Sequence, residues 1–297
     1  MKPEPLLDTV CTLGESPCWN ASTGELYWVD GPGHTLHVFS PDSRDKRVID
    51  VGMHVGCVAL RQDGGILATM ERGVFRLELT DGSRELIAEP ERLPDYRLND
   101  GKCDCRGRFW VGSMARKGVQ HVGTPAGSLY CIQTDGSWRK VVTELGVSNG
   151  MAWGPDDRTF YHVDSFTRQV SAFDFRVEDG SLTHRRVVIR TPAEMGFPDG
   201  MAADAEGMLW IAQWGGSRVC RWDPTTGRLL QTVPLPVANV TSCAFGGRDL
   251  DELFITTARP DSADRTPQPG AGALFHIRPG VKGLRAYRFA DRQTSTG

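Results

Sequence analysis

The sequence predicts an all-β fold, a six-bladed β-propeller built from four-stranded antiparallel blades. Three observations predict it: a chain of 297 residues, long enough for one large architecture, an apolar and aromatic-rich segment that recurs, and no helix-length apolar period between the copies. The copies are roughly 45 residues apart, a spacing typical of propeller blades. Strands and turns without helices exclude doubly wound and TIM-barrel folds.

The recurring segment predicts one strand of each blade. It starts at a turn residue and runs into Leu, Ile, Phe, Tyr or Trp side chains, which favour strands. Another strand and a polar turn usually follow, as in residues 127–136 and 217–227, and then a further apolar strand such as residues 229–235. The unit is therefore an antiparallel meander of four strands. The six copies lie at residues 24–28, 65–68, 107–110, 158–161, 207–210 and 251–254.

A ring of blades has to close, and the N-terminal segment predicts how. Residues 5–12 precede the first inner strand, while the last repeat ends near Phe289 without room for another blade. We expect residues 5–12 to form the outer strand of the sixth blade, which leaves no exposed terminal edge. Residues 1–297 are then one propeller domain without a linker.

Composition and charge exclude several classes of protein. Hydrophobic residues make up 39% of the chain and charged residues 24%, values near the globular averages. The net charge of −3 is spread without long runs, so we expect no nucleic-acid partner. No apolar run approaches the roughly 18 residues of a membrane helix, and no export signal is visible. We expect a cytoplasmic protein with eight reduced cysteines, a monomer or a weak homodimer.

A second recurring pattern, about a dozen residues before each aromatic segment, predicts the lining of the central channel. It brings three carboxylates and an amide to one level of the channel, where they would repel or stay unsatisfied without a positive charge between them. A hard divalent cation meets that need. The alternative is that Asn-Gly and Asp-Gly are only favoured turn pairs. The aligned positions are Glu15, Val55, Asp100, Asn149, Asp199 and Thr241.

Four of these motifs resemble the signatures of the SMP-30/gluconolactonase/regucalcin-like (LRE) family. The resemblance runs nearly end to end in the expected order. It implies a six-bladed propeller that binds one divalent cation through Glu15, Asn149 and Asp199 and hydrolyses sugar lactones. It also implies that Arg97 and Asn99 contact the substrate or the water on the metal. The motifs are Leu-Gly-Glu-Ser-Pro at 13–17, Arg-Leu-Asn-Asp-Gly-Lys at 97–102, Ser-Asn-Gly-Met-Ala at 148–152 and Phe-Pro-Asp-Gly-Met at 197–201.

The sequence departs from the animal members of that family at Lys117. The resemblance places a substrate-contacting Glu there, whereas this chain has Arg116 and Lys117. A basic residue would change the recognition of hydroxyl groups, so Lys117 is predicted to contact the substrate. The alternative is that Lys117 is a solvated loop residue. His162 and residues 212–216 instead resemble bacterial aldonolactonases.

The residue types are suited to opening a lactone. Two carboxylates and an amide leave coordination positions around a cation for water and a substrate carbonyl. Asp199, or a water on the metal, would act as base or nucleophile, Asn99 would position the water, and Arg97 would bind sugar hydroxyls or the new carboxylate. His162 is either an acid or base or a histidine satisfied by a neighbour inside its blade.

Other functions remain open at this point. No Gly-x-Ser-x-Gly elbow or phosphate-binding loop is present, which disfavours a covalent serine hydrolase. A calcium-binding regulatory propeller without turnover could use the same cation, and so could a metal-dependent esterase or phosphotriesterase. Oxygen ligands of this kind accept Ca, Zn, Mn, Mg or Fe(II). The preferred hypothesis is a metal-dependent carboxylic ester hydrolase that converts 1,4- or 1,5-lactones of sugars to aldonic acids.

Overall fold

Six antiparallel sheets of four strands are arranged as a six-bladed β-propeller in a computed structural model of the chain. The structure describes residues 2–118, 123–260 and 268–291. The predicted fold class is confirmed. Blades 1 to 5 each take four consecutive strands, and blade 6 takes the last three together with the first strand of the chain.

The strands are numbered β1 to β24 along the chain. Blade 1 comprises β2 (Gly14–Asn20), β3 (Glu25–Asp30), β4 (Thr35–Phe39) and β5 (Lys46–Asp50), blade 2 comprises β6 (Val55–Leu60), β7 (Ile66–Met70), β8 (Gly73–Leu77) and β9 (Arg84–Ala88), and blade 3 comprises β10 (Tyr96–Cys103), β11 (Phe109–Ala115), β12 (Gly127–Ile132) and β13 (Trp138–Leu145). Blade 4 comprises β14 (Ser148–Trp153), β15 (Thr159–Asp164), β16 (Gln169–Phe175) and β17 (Leu182–Arg190), blade 5 comprises β18 (Phe197–Ala203), β19 (Leu209–Trp214), β20 (Arg218–Asp223) and β21 (Arg228–Pro234), and blade 6 comprises β22 (Val240–Gly246), β23 (Glu252–Thr257), β24 (Ala273–Ile277) and β1 (Glu4–Val10).

An aspartate at the turn between the first two strands explains the aromatic repeat in blades 3 and 5. Asp104 Oδ1 accepts hydrogen bonds from the main-chain N–H groups of Arg106 and Arg108, and its Oδ2 accepts one from Trp110 Nε1 at 2.8 Å. Asp204 makes the equivalent bond to Trp210 Nε1 at 2.9 Å. The carboxylate thus closes the turn and satisfies a buried indole donor at the same time.

The hydrophobic cores lie where sheets pack face to face. Between blades 3 and 4, Trp110 packs edge to face on Trp153 with ring centroids 6.1 Å apart, and both rings contact Phe160 and Phe175. Each such aromatic side chain buries a large apolar area at this interface. These rings hold neighbouring blades together, as expected for a propeller.

The N-terminal segment closes the ring as predicted. β1 pairs antiparallel with β24, with Glu4 opposite His276 and Pro5 opposite Phe275. Cys11 N donates to Gly272 O at 2.8 Å just beyond that pairing. β1 is therefore the outer strand of blade 6, and its pairing covers the edge of β24.

The chain after β24 differs from the expectation that the last repeat runs to Phe289. β24 ends at Ile277, and residues 281–291 then cross the end of the propeller opposite the inner-strand starts. Phe289 N donates to Leu60 O at 2.8 Å and Ala290 N to Gly107 O at 3.0 Å, so this segment contacts blades 2 and 3. The described part of the chain holds no helix with the length and hydropathy of a membrane-spanning segment.

Candidate active site

Three predicted cation ligands share one register at the start of three inner strands. Glu15 lies on β2, Asn149 on β14 and Asp199 on β18, and in each case the pairing with the next strand shifts next to this residue. Such β-bulges redirect a side chain out of the regular alternation. The structure therefore brings Glu15, Asn149 and Asp199 to the same end of the central channel.

The register corrects the alignment in blade 3. Leu98 pairs with Ser113 before the bulge, as Ser148 pairs with Asp164 in blade 4. Asn99 is therefore in line with Asn149, and Asp100 lies one residue further along its strand.

Two of the other aligned residues do not line the site. Val55 is buried in the core between blades 1 and 2. Thr241 is also buried, and its Oγ1 donates to Gly14 O at 2.5 Å between blades 6 and 1. The repeat pattern does not reveal a one-residue shift, because the bulge breaks the alternation on which the alignment relies. It also does not reveal which of the aligned neutral side chains are buried.

The glycines that follow the ligands have a packing role, and the interpretation of these pairs as turns is wrong. Asn149-Gly150 and Asp199-Gly200 lie within β14 and β18. A Cβ on Gly150 would lie 2.5 Å from Asp199 O, and one on Gly200 would overlap Ser242 Oγ. Adjacent inner strands converge at the channel, and only glycine allows that approach.

Asp199 provides the observation that favours a cation. Its side chain is 5% exposed, and its Oδ1 has no hydrogen-bond partner among the described residues. An unpaired carboxylate oxygen in a buried position is costly, and the carboxylates of Glu15 and Asp100 add repulsion. A divalent cation held by Glu15, Asn149 and Asp199 would remove both costs.

The pKa shifts of Glu15 and Asp199 have the same two causes, burial and repulsion between carboxylates. Burial, followed by repulsion from Asp199 and Asp100, raises the pKa of Glu15 well above its usual range. Burial and the charge of Asp100 likewise raise the pKa of Asp199, against which the neighbouring Asn149 amide acts in the lowering direction. In the described residues no three His, Cys, Asp or Glu side chains form a metal centre by themselves. The three predicted ligands include only two carboxylates, Glu15 and Asp199, and the third donor is the amide oxygen of Asn149.

A hydrogen-bond chain orients the Asn149 amide. Its Nδ2 donates to Ser165 Oγ at 3.2 Å, and Ser165 Oγ donates to Pro198 O at 2.6 Å. Ser165 follows β15, where Asp164 Oδ1 accepts from Val147 N at 3.0 Å and fixes the entry to β14. Because Nδ2 points to Ser165, Oδ1 is the oxygen that the amide can offer to a cation.

The predicted substrate residues Arg97 and Asn99 form a bonded pair. Arg97 Nη1 donates to Asn99 Oδ1 at 2.7 Å and to Leu98 O at 3.0 Å. Asn99 Nδ2 donates to Ser148 O at 3.0 Å, next to Asn149. Burial lowers the pKa of Arg97 to about 10, against the favourable charge of Glu15. Arg97 therefore carries its charge at neutral pH and lies close to the carboxylates.

Three residues that were not among the predicted site residues lie beside Arg97. Glu71 and Arg116 form an ion pair, and both of their charges act on Arg97. His54 lies near the same guanidinium, with its Nδ1 buried and unpartnered among the described residues. Burial lowers the pKa of His54 to about 4, so its ring is neutral. All three lie outside the motifs at strand ends or in loops, so no repeat position marked them.

Lys117 and His162 occupy different environments. Lys117 is exposed in the turn after β11, next to Arg116 in sequence. His162 is buried on β15, the second strand of blade 4, where its Nε2 is 2.7 Å from Ser148 Oγ. Burial lowers the pKa of His162 to about 3. This agrees with the alternative in which His162 is satisfied by a neighbour within the blade.

Beyond the ligand positions, Lys102 and Asp100 line a cavity. The Lys102 ammonium donates to Met201 O and lies near Asp100. This cavity of about 110 Å³ is also lined by small side chains such as Ala152 and Ala202 and is partly covered by Tyr287. This cavity does not include the three predicted ligands, so the candidate chemistry belongs to the end where the inner strands begin.

Comparison with known proteins places the chain in a family. Residues 13–259 match the family described as SMP-30/Gluconolactonase/LRE-like region. Regucalcin of Oryctolagus cuniculus is 39% identical over 98% of this chain and 99% of its own, and the protein named "Putative sugar lactone lactonase YvrE" of Bacillus subtilis is 36% identical over 95% and 97%. A crystal structure of a calcium-binding protein, regucalcin, from Agrobacterium tumefaciens superposes with a TM-score of 0.90 at 30% identity over 97% of each chain. The chain belongs to the SMP-30/gluconolactonase/LRE-like family.

Proposed function

We propose that this protein is a divalent-cation-dependent hydrolase that opens sugar lactones to aldonic acids. The single observation that carries the proposal is the buried, unpartnered Oδ1 of Asp199 beside the Glu15 carboxylate. Membership in the family, and a relative whose name refers to a sugar lactone, support the lactone as substrate. The native cation is one of Ca, Zn, Mn, Mg and Fe(II), all of which accept oxygen donors.

Glu15, Asn149 and Asp199 would hold the cation, and the remaining residues would act on the substrate. A bound divalent cation would polarise the lactone carbonyl and stabilise the negative charge that develops on its oxygen. Asp199 would act as the base that accepts the proton of the attacking water. Asn99 orients that water, because its amide is held by Arg97 and by Ser148 O.

Arg97 binds the oxygen-rich part of the substrate. It uses Nη1 to reach Asn99 and Leu98 O. The remaining N–H groups of its guanidinium can donate to ring hydroxyls or to the carboxylate formed on ring opening. Cleavage of the bond from the acyl carbon to the ring oxygen leaves a hydroxyl on the former ring and a carboxylate product, so one proton is released at neutral pH. We also propose Lys117, exposed after β11, as a substrate contact at the channel mouth.

The test is proton release from a panel of pentono- and hexonolactones at substoichiometric enzyme. Each assay is run after chelation and again after adding back single metals. Asp199→Ala should abolish turnover with the fold retained, and Lys282→Ala, an exposed residue paired with Asp249, serves as the control. Near wild-type turnover by chelated enzyme or by Asp199→Ala contradicts the metal mechanism.

Two other functions use the same three ligands and are outcomes of the same panel. The solved relative described as a calcium-binding protein favours cation binding as a function in itself. Calcium binding without multiple turnovers of any lactone would support a regulatory propeller. Faster turnover of aryl esters or organophosphates than of aldonolactones would instead indicate an esterase or a phosphotriesterase.

A further inference from the structure

The channel mouth has a charged half and an aromatic half. Blades 2 and 3 supply Arg97 and the ion pair of Glu71 with Arg116. Blades 4 and 5 supply Phe166 and Phe197, which are 49% and 38% exposed. Each of these two phenyl rings beside a polar channel leaves apolar surface in water unless a ligand covers it.

Phe166 directly follows Ser165, the residue that accepts a hydrogen bond from the Asn149 amide. It lies in the turn between β15 and β16, where its main-chain N donates to Asp164 Oδ1 at 3.2 Å. The Phe166 side chain lies against Gly146, where a Cβ would overlap it. This turn fixes the backbone of Phe166 at the rim.

Phe197 directly precedes Pro198, whose carbonyl accepts the hydrogen bond from Ser165 Oγ. It is the first residue of β18, two positions before Asp199. The Arg168 guanidinium carbon lies 3.9 Å from the centroid of the Phe197 ring, and Arg168 Nε donates to Gly196 O at 3.4 Å. This cation–π stack holds the ring in place.

Other exposed aromatic rings in the described residues have partners elsewhere. Trp138 lies on the outer strand of blade 3, with its ring centroid 5.9 Å from that of Tyr130. The Tyr287 hydroxyl donates to Asp157 Oδ2 at 2.8 Å at the opposite end of the propeller. Phe166 and Phe197 are therefore distinguished by their place beside Asn149 and Asp199.

We propose that the substrate is an amphipathic lactone. Its carbonyl and hydroxyl oxygens face Arg97 and Asn99, and an apolar group attached to the lactone, such as the terminal methyl group of a deoxy sugar acid, lies against Phe166 and Phe197. The inference rests on the proposed lactonase function. A methyl group gains from contact with phenyl rings, whereas a hydroxymethyl group in the same place loses water without finding a partner.

The experiment compares matched pairs of lactones that differ in that one group. L-fucono-1,4-lactone against L-galactono-1,4-lactone and L-rhamnono-1,4-lactone against L-mannono-1,4-lactone each replace CH2OH by CH3. For the wild type we expect kcat/KM about three- to tenfold higher for the deoxy member of the better pair. Phe166→Ala and Phe197→Ala should each reduce that ratio toward one, because each change should lower kcat/KM more for the deoxy lactone than for its hydroxymethyl partner.

Two further variants keep the result interpretable. Phe197→Leu retains an apolar side chain and should restore part of the preference, and Trp138→Ala removes an exposed ring far from the mouth and should leave it unchanged. Equal kcat/KM for the members of each pair, or a preference that survives both Phe-to-Ala changes, overturns the inference while the lactonase function stands. No turnover of any lactone would remove the proposed function and the inference together.

Discussion

Lys102 on β10 reaches across the channel and donates a hydrogen bond to the main-chain carbonyl of Met201 on β18. Burial raises the pKa of Asp100 against the opposing charge of the Lys102 ammonium, and Asp100 in turn acts on Glu15 and Asp199. A fixed positive charge therefore lies behind three carboxylates. It offsets part of their repulsion and opposes the binding of a second cation.

Lys102→Met should strengthen calcium binding. Removing a positive charge near the site lowers the Coulomb energy of the bound cation, so the Kd measured by titration calorimetry at about pH 8 should fall at least about threefold. Lys282→Met removes a surface charge paired with Asp249 and is the matched control. An unchanged or weaker affinity in Lys102→Met would show that the ammonium does not act on the site.

Asp199→Asn should have opposite effects with and without cation. The change removes one of the mutually repelling carboxylates, so the melting temperature in EDTA should rise, by about 2 °C or more for each kcal/mol of relieved repulsion. The same change removes a ligand, so the increase in melting temperature on adding CaCl2 should largely disappear. A lower melting temperature in EDTA would mean that the Asp199 carboxylate stabilises the cation-free fold.

Stability without cation should fall as pH rises. The raised pKa values of Glu15 and Asp199 mean that the folded protein holds protons which the unfolded chain releases. Their contribution is therefore complete below the ordinary carboxyl range near pH 4 and is lost as pH rises through the folded-state values. Calcium replaces those protons, so the calcium-induced rise in melting temperature should be larger at about pH 8 than at about pH 5. A calcium effect independent of pH would argue that these carboxylates do not bind it.

Arg97 and Asn99 should act as a coupled pair. Arg97→Ala should mainly raise KM, because it removes a substrate contact, and Asn99→Ala should lower kcat if the amide orients water. Since the two side chains share a 2.7 Å hydrogen bond, the double variant should lose less than the sum of the single losses. Additive effects, or a loss of thermal stability comparable to a core deletion, would favour a structural role.

Lys117→Glu should change substrate ranking and leave stability unchanged. Its side chain is exposed at the turn after β11, so a charge reversal there costs little in folding. At the sugar hydroxyls a donor-only group would become an acceptor, which should reorder kcat/KM among pentonolactones and hexonolactones. If all values move together, Lys117 lies outside the specificity pocket.

The fold was predictable because six blades repeat one pattern of turn, aromatic strand and inner strand. The common phase of Glu15, Asn149 and Asp199 was predictable for the same reason. The sequence did not predict that Asn99, and not Asp100, is in line with Asn149. A bulge shifts the register by one residue without altering the motif.

The surroundings of the three ligands were less predictable. His54 and the Glu71–Arg116 pair come from positions that do not repeat. Their contact with Arg97 depends on how the blades close around the axis. Phe166 and Phe197 cannot be distinguished from core phenylalanines in the sequence, because only the structure shows that they are exposed.

The closure of blade 6 has a consequence for how the chain folds. β1 precedes every other strand in the chain, yet its partner β24 follows all of them. Contacts of such high sequence separation slow folding, so we expect the edge of β24 to stay open while the other blades assemble. At high protein concentration that edge can accept residues 4–10 of another molecule instead, and refolding yields should fall as concentration rises.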